Sequence, residues 1–260
     1  MFPYIPHTEV DLKEMLAVCE VPDLDGLFAH IPDRLKSPVP ESCSTPLSEL
    51  ELLHLFQDRL KLNHTPPVCF LGAGIYDHFI PAAVDQICSR GEFWTAYTPY
   101  QPEISQGTLQ AVFEYQSMIC QLTGMDVSNA SVYDGAWASL EAVLMACTHT
   151  RRNRILVSST VNPLYLNVLR SGLLPKSIEI QMIPMDEGIT DLNILSEMIS
   201  EQHACLLLQN PNFFGIIEDL SGVSDIVHGM GSLLIICSDP ISLGIIKSPG
   251  EWGADIAVGE

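Results

Sequence analysis

Six short apolar runs, at residues 68–71, 155–159, 178–183, 204–209, 233–238 and 255–258, constrain this fold more than any other feature of the sequence. Most are separated by segments of helix length. That is the pattern of an α/β domain whose mostly parallel central sheet is buried on both faces. Residues 1–65 read differently, as a helical arm punctuated by proline. Thr8 is placed to cap a helix over 11–20 and Ser48 to cap another over 51–62, with a linker between them at residues 37–42. The expected division is therefore an arm over 1–65 and a large domain over 66–260. The last run is followed at once by Gly259 and Glu260, so a longer chain carrying the rest of the domain is expected.

Charge and cysteine usage exclude several classes. Thirty-two acidic against 12 basic side chains give a net charge of −20, which disfavours nucleic acid and anionic membrane as partners. No apolar run reaches the roughly 18 residues that a membrane span needs. The start, MFPYIPHTEVDLKE, carries acids and prolines where a secretory signal would have bases and an apolar core, so a cytoplasmic setting is expected. The eight cysteines are spread without a C-x-x-C pair and mostly sit among apolar neighbours. They read as reduced core thiols, not as zinc ligands or a disulfide framework.

Chemistry concentrates between residues 92 and 145. The loop Thr95-Ala96-Tyr97-Thr98-Pro99-Tyr100-Gln101-Pro102-Glu103 is polar, tyrosine-rich and stiffened by two prolines. Ser105 is a suitable N-cap for the helix that follows, and Gly124 suits its end. A second turn, Asn129-Ala130-Ser131-Val132-Tyr133-Asp134-Gly135, places short hydrogen-bonding side chains at the mouth of a helix over 136–146. Such a mouth is a natural anion site, although a capped helix pair accounts for the same residues. Gly72-Ala73-Gly74 lacks the third glycine of a dinucleotide fingerprint, and a tight turn explains it better. Glu218-Asp219 most simply caps the next helix, Asp239-Pro240 is ordinary turn chemistry, and His78 reads as a structural histidine. There is no G-x-S-x-G elbow, H-E-x-x-H pair or P-loop lysine.

Together FLGAGIYDHFIP, EFWTAYTPYQPEISQGTLQ, LTGMDVSNASVYDGA, QNPNFFGIIED and SDPISLGIIKSPGEWGADIAVGE resemble the P-protein of the glycine cleavage system, in its split, alpha-subunit form. The resemblance implies the large domain of the fold-type I pyridoxal-phosphate transferases behind a helical arm. It implies a heterotetrameric glycine dehydrogenase in which a beta subunit carries pyridoxal phosphate. Glycine is then decarboxylated and its aminomethyl group passes to the lipoyl group of the H-protein. The lysines are 13, 36, 61, 176 and 247, and none stands where that family places its Schiff-base lysine. Catalysis by a lysine of this chain is therefore not expected. Asp239, after a strand, matches the aspartate that pairs with the cofactor's pyridine nitrogen, and is the weak candidate for a cofactor contact. Trp137 stands where the family has a small hydroxyl residue, either filling a vacated pocket or pointing into the core. Thr95, Tyr97, Tyr100, Gln101, Glu103, Ser105 and Gln106 are the expected lining of a shared active site, with Asn129, Ser131 and Asp134 as further candidates and no metal ligand. A self-sufficient enzyme whose lysine lies past residue 260, or a scaffold that only stabilises the beta subunit, are the alternatives.

Overall fold

A computed structural model describes residues 6–36, 46–64, 66, 68, 70, 72, 77–94, 99 and 101–260. The chain divides into two compact units, Met1–Cys69 and Phe70–Glu260. In the first, helices α1 (Glu9–Val18) and α2 (Glu49–Leu60) begin at Thr8 and Ser48, as their sequence signals require. Each start is a capping box: the Thr8 and Ser48 hydroxyls accept from the N–H groups of Asp11 and Glu51, whose carboxylates accept from the cap N–H groups at 2.7 and 2.9 Å. Those bonds hold both carboxyls below their ordinary pKa range. The linker at residues 37–42 falls outside the described residues.

The second unit opens with helices α3 (Ala82–Cys88), α4 (Gly91–Trp94), α5 (Pro102–Thr123) and α6 (Gly135–Thr150). Its sheet is built from β1 (Arg154–Ser158), β2 (Glu179–Ile183), β5 (His203–Gln209), β6 (Leu233–Cys237) and β7 (Ile256–Val258) in the order β2-β1-β5-β6-β7, every pair parallel. A two-strand ribbon, β3 (Met185–Asp186) with β4 (Ile189–Thr190), follows β2. Helix α7 (Pro163–Leu173) connects β1 to β2; α8 (Leu192–Met198) precedes β5, and α9 (Val223–Gly229) precedes β6.

Strand alternation sorts the apolar side chains into two cores. Ile155, Val157, Cys205, Leu207, Ile235 and Cys237 face one way and pack on α6 and α7 through Leu140, Val143, Leu166 and Leu169. Leu156, Leu206, Leu208, Leu234 and Ile236 face the other, against Leu195, Val223 and Val227 of α8 and α9. Burial on both faces is why these strands read as continuous apolar runs.

Two expectations from sequence are corrected. Val68 and Phe70 lie in no strand, and Phe70 is 97% exposed; Cys69 and Leu71 lie outside the described residues. Ser105 does not cap α5. The helix starts at Pro102, whose fixed φ and missing N–H suit a first turn, and Ser105 forms an interruption inside it (φ −120°, ψ 28°). Gly124 ends α5 in the left-handed region (φ 72°) as expected. Cys147, Cys205 and Cys237 are buried thiols, the last pushed up to about 12 by that burial, whereas Cys19 and Cys88 are exposed. Cys43 and Cys69 are not among the described residues.

His203 opens β5 and is 3% exposed. Its Nδ1 accepts from the Ser200 N–H at 3.1 Å and its Nε2 lies 3.0 Å from the Gln181 side-chain Oε1, an arrangement that needs the neutral ring. Burial pulls its pKa below the ordinary 6.5. The unfolded chain therefore takes up the proton first, and stability present above about pH 6.5 is lost as pH falls below it. Urea midpoints measured from pH 7.5 to 5.5 are expected to fall less steeply in His203→Gln than in the native chain; equal slopes would remove His203 from the pH dependence.

Candidate functional site

Because all five strands are parallel, their carboxyl ends form one rim, and the order reverses there between β1, which leads outward to β2, and β5, which leads to β6. Open α/β sheets place their clefts at such a point. The polar residues at this rim are Ser158, Ser159 and Thr160 at and after the end of β1, Gln209 and Asn210 at and after the end of β5, Ser238 and Asp239 after β6, and Glu260 after β7.

Glu218 is the hub of the first part of this rim. It is 5% exposed, and its Oε1 accepts from Thr160 Oγ1 at 3.0 Å and Asn212 Nδ2 at 2.7 Å, while Oε2 accepts from the Thr190 N–H at 3.0 Å. Thr160 and Thr190 in turn meet Ser158 Oγ at 2.9 and 2.8 Å. The Glu218 backbone is clasped by Asn210, whose side chain donates to its C=O at 3.0 Å and accepts from its N–H at 3.1 Å. Ser238 Oγ donates to the Asn210 C=O at 2.8 Å, tying the ends of β5 and β6 together. Gln209 accepts from the Asn162 N–H, which fixes the start of α7. Among the described residues Ser159 Oγ is the one buried side-chain atom without a partner.

The second part lies where α6, α7 and β7 meet. Asp134 caps α6, accepting from the Trp137 N–H at 2.7 Å. The Gly135 N–H donates to Glu260 Oε2 at 2.9 Å, and the Tyr165 hydroxyl donates to the other oxygen of the same carboxylate. Only glycine fits at 135: a Cβ there would meet the Tyr165 hydroxyl and stand 2.9 Å from its Cζ and 3.3 Å from the Glu260 Cδ. Burial, then the bond to Glu260, pushes the Tyr165 hydroxyl well above its ordinary range, so it stays a donor.

Set against these centres, the residues singled out from sequence are scattered. Thr95, Tyr97 and Tyr100 lie outside the described residues. Gln101 precedes α5, and Glu103 and Gln106 are exposed in its first turns, while Ser105 is buried. Asn129 accepts from the Ser131 N–H at 3.3 Å, and Ser131 takes a positive φ of 107°. Of the candidate side chains in that turn, only that of Asp134 bonds at the α6 mouth. Asp239 stands at the rim, but its Oδ1 accepts from the Ile241 N–H at 2.9 Å, which is turn geometry. Trp137 is 46% exposed and so does not point into the core. His78 is exposed and lies in no helix or strand, as does Gly72; Ala73 and Gly74 lie outside the described residues.

Sequence reasoning placed Glu218 in a helix cap, and that is a correction: Gly222 starts α9 without a side-chain cap, and only Asp219 makes a local turn, accepting from Ser221. The available signal was a carboxylate between Ile216-Ile217 and Leu220, close behind the donors Asn210 and Asn212. Glu260 carried no signal, since its partners are 95 and 125 residues away.

Comparisons with known proteins place this geometry. The sequence profile of the glycine cleavage system P-protein matches residues 3–260. A protein of Desulforamulus reducens named probable glycine dehydrogenase (decarboxylating) subunit 1 is 51% identical over 99% of this chain, and the match spans 58% of that protein's length. The crystal structure of a glycine decarboxylase (P-protein) in inhibitor-bound form superposes with a TM-score of 0.85 at 44% identity, covering 99% of this chain and 58% of that one. A sphingosine-1-phosphate lyase of Burkholderia pseudomallei shares the fold alone, with a TM-score of 0.55 at 13% identity over 78% of this chain and 50% of its own. The fold is thus that of the fold-type I pyridoxal-phosphate enzymes.

Glu218→Ala is expected to lower stability by about 3 kcal/mol or more, because three buried donors lose their acceptor and each unmet one costs about 1–3 kcal/mol. Glu218→Gln, which keeps one acceptor oxygen, is expected to lose less. Urea unfolding measures both, and a near-neutral Ala variant would show that the hub is replaceable by water.

Proposed function

The chain belongs to the glycine cleavage system P-protein family, and on that premise we propose that it is the alpha subunit of a glycine dehydrogenase (decarboxylating). The observation that carries this reading is the 51% identity, over 99% of the chain, to a protein named as subunit 1 of that enzyme. The chain spans about 58% of the length of that relative, and the activity, substrates and partners here are those proposed for the whole protein.

The residues of this chain up to Glu260 do not fit pyridoxal phosphate. Lys176 precedes β2, at the amino end of the sheet and opposite the rim. Lys247 is exposed, with its Nζ 4.4 Å from the Trp252 ring. Lys13, Lys36 and Lys61 belong to the first unit. No amine of the second unit is therefore placed for a Schiff base at the rim. The cofactor and its lysine are assigned to a beta subunit, where the cofactor supplies an electron sink for decarboxylation. The lipoyl group of an H-protein takes the aminomethyl group, and the assembly is a cytoplasmic heterotetramer. No helix among the described residues is long and apolar enough to cross a membrane.

The contribution of this chain is to complete the site from across a subunit boundary, with residues 1–65 as an arm and 66–260 as the large domain. Tyr97 and Tyr100 supply hydroxyl contacts, with Thr95, Gln101 and Glu103 in polar support and Ser105 and Gln106 as further lining. Asn129 and Ser131 shape the turn before α6. Asp239 is left to its own turn, as its bond to Ile241 supports.

The test is glycine decarboxylation and carbon dioxide exchange by the full-length chain, with and without its beta partner, pyridoxal phosphate and lipoylated H-protein being present in both. Activity is expected only in the mixture, and turnover by this chain alone would overturn the assignment. Within the active mixture, Tyr97→Phe is expected to raise KM for glycine or lower kcat; unchanged kinetics would remove that hydroxyl from the site.

A further inference from the structure

We propose that Glu260 is a built-in anion: its carboxylate fills the mouth of α6, the natural anion site of this unit, and so closes it to a cofactor's phosphate. The inference rests on the subunit reading above and deepens it, because it names the group that keeps this chain from binding the cofactor.

A helix mouth attracts anions through the N–H groups of its first turn, which no carbonyl of the helix can satisfy. In α6 two of these are already engaged by carboxylates. Gly135 donates to Glu260 at 2.9 Å and Trp137 donates to Asp134 at 2.7 Å. Glu260 comes from the far end of the unit, 125 residues from Gly135 in sequence, so this is no local capping habit. Its second oxygen is held by the Tyr165 hydroxyl of α7. Tyr165 is buried and therefore fixes the carboxylate from a rigid position. Gly135 has no side chain to keep the carboxylate away, and the space a Cβ would need is taken by Tyr165 and Glu260 together. A phosphate entering here would displace a bidentate, charge-assisted contact and then sit beside Asp134. Trp137 adds bulk at the third residue of the first turn, where a phosphate cradle uses a small one.

The test is titration of the full-length chain with inorganic phosphate, following the Gly135 amide resonance by NMR. The native chain is expected to show no saturable shift at Gly135. Glu260→Ala is expected to bind phosphate about tenfold or more tightly than the native chain, as removal of one charged competitor predicts. Equal binding by the two, or no binding by a folded Glu260→Ala, overturns the inference. Should the Ala variant not fold, Glu260→Gln decides. It keeps the bulk and one acceptor but not the charge, so saturable binding supports the inference and its absence overturns it. The two readings fail separately. Phosphate gained by Glu260→Ala in a chain that gives no activity with a beta partner would leave the closed mouth standing and sink the subunit assignment. An active mixture with no phosphate gain would do the reverse.

Discussion

Burial of the parallel sheet on both faces governs the rest of the second unit. β5 is the clearest case. From His203 to Leu208 every residue is buried, and from Cys205 onward successive side chains serve opposite cores, so that Cys205 and Leu207 meet α6 and α7 while Leu206 and Leu208 meet α8 and α9. With no wet face available to a central strand, polar chemistry can occur only where strands end. The parallel direction puts all those ends on the same rim.

Strand ends carry backbone groups that the ladder no longer pairs, and buried groups of that kind require partners. The rim meets the requirement with side chains. Asn210 clasps the backbone of Glu218, Ser238 donates to the Asn210 C=O, and Gln209 accepts from the first turn before α7. Glu218 unites residues 160, 190 and 212, which arrive from three separate connections. Such a network holds the loops that follow β1 and β5 in one arrangement at the switch point. Positioning is thus built into the same bonds that satisfy the fold.

What the sequence disclosed follows the range of the interactions involved. Thr8, Ser48 and Asp134 were legible as caps because each bonds within three residues. Five of the six apolar runs correspond to strands, since continuous burial leaves a continuous apolar pattern. The run at 68–71 has the same composition, yet Val68 and Phe70 pair with nothing in the sheet, and pairing is not encoded in composition. Ser105 misled for a related reason: its residue type suits a cap, but Pro102 three residues earlier suits the first turn better. Glu260 was illegible because the fold brings its partners from 95 and 125 residues away, and Glu218 was misread because Thr160 and Thr190 are distant although Asn210 and Asn212 stand close by.

Charge placement separates the two ends of the sheet. Arg152 donates to the carbonyls of His203 and Met230, Arg154 pairs with Glu179, and Lys176 precedes β2, so the basic side chains fixed near the sheet gather at its amino end. The carboxyl end instead carries Asp134, Glu218, Asp239 and Glu260, each satisfied by N–H or O–H donors and none by a cation among the described residues. A rim meant to receive an anionic phosphate would spend those donors on the ligand and leave its carboxylates elsewhere. Here the donors are already engaged, and the acidic rim is self-sufficient.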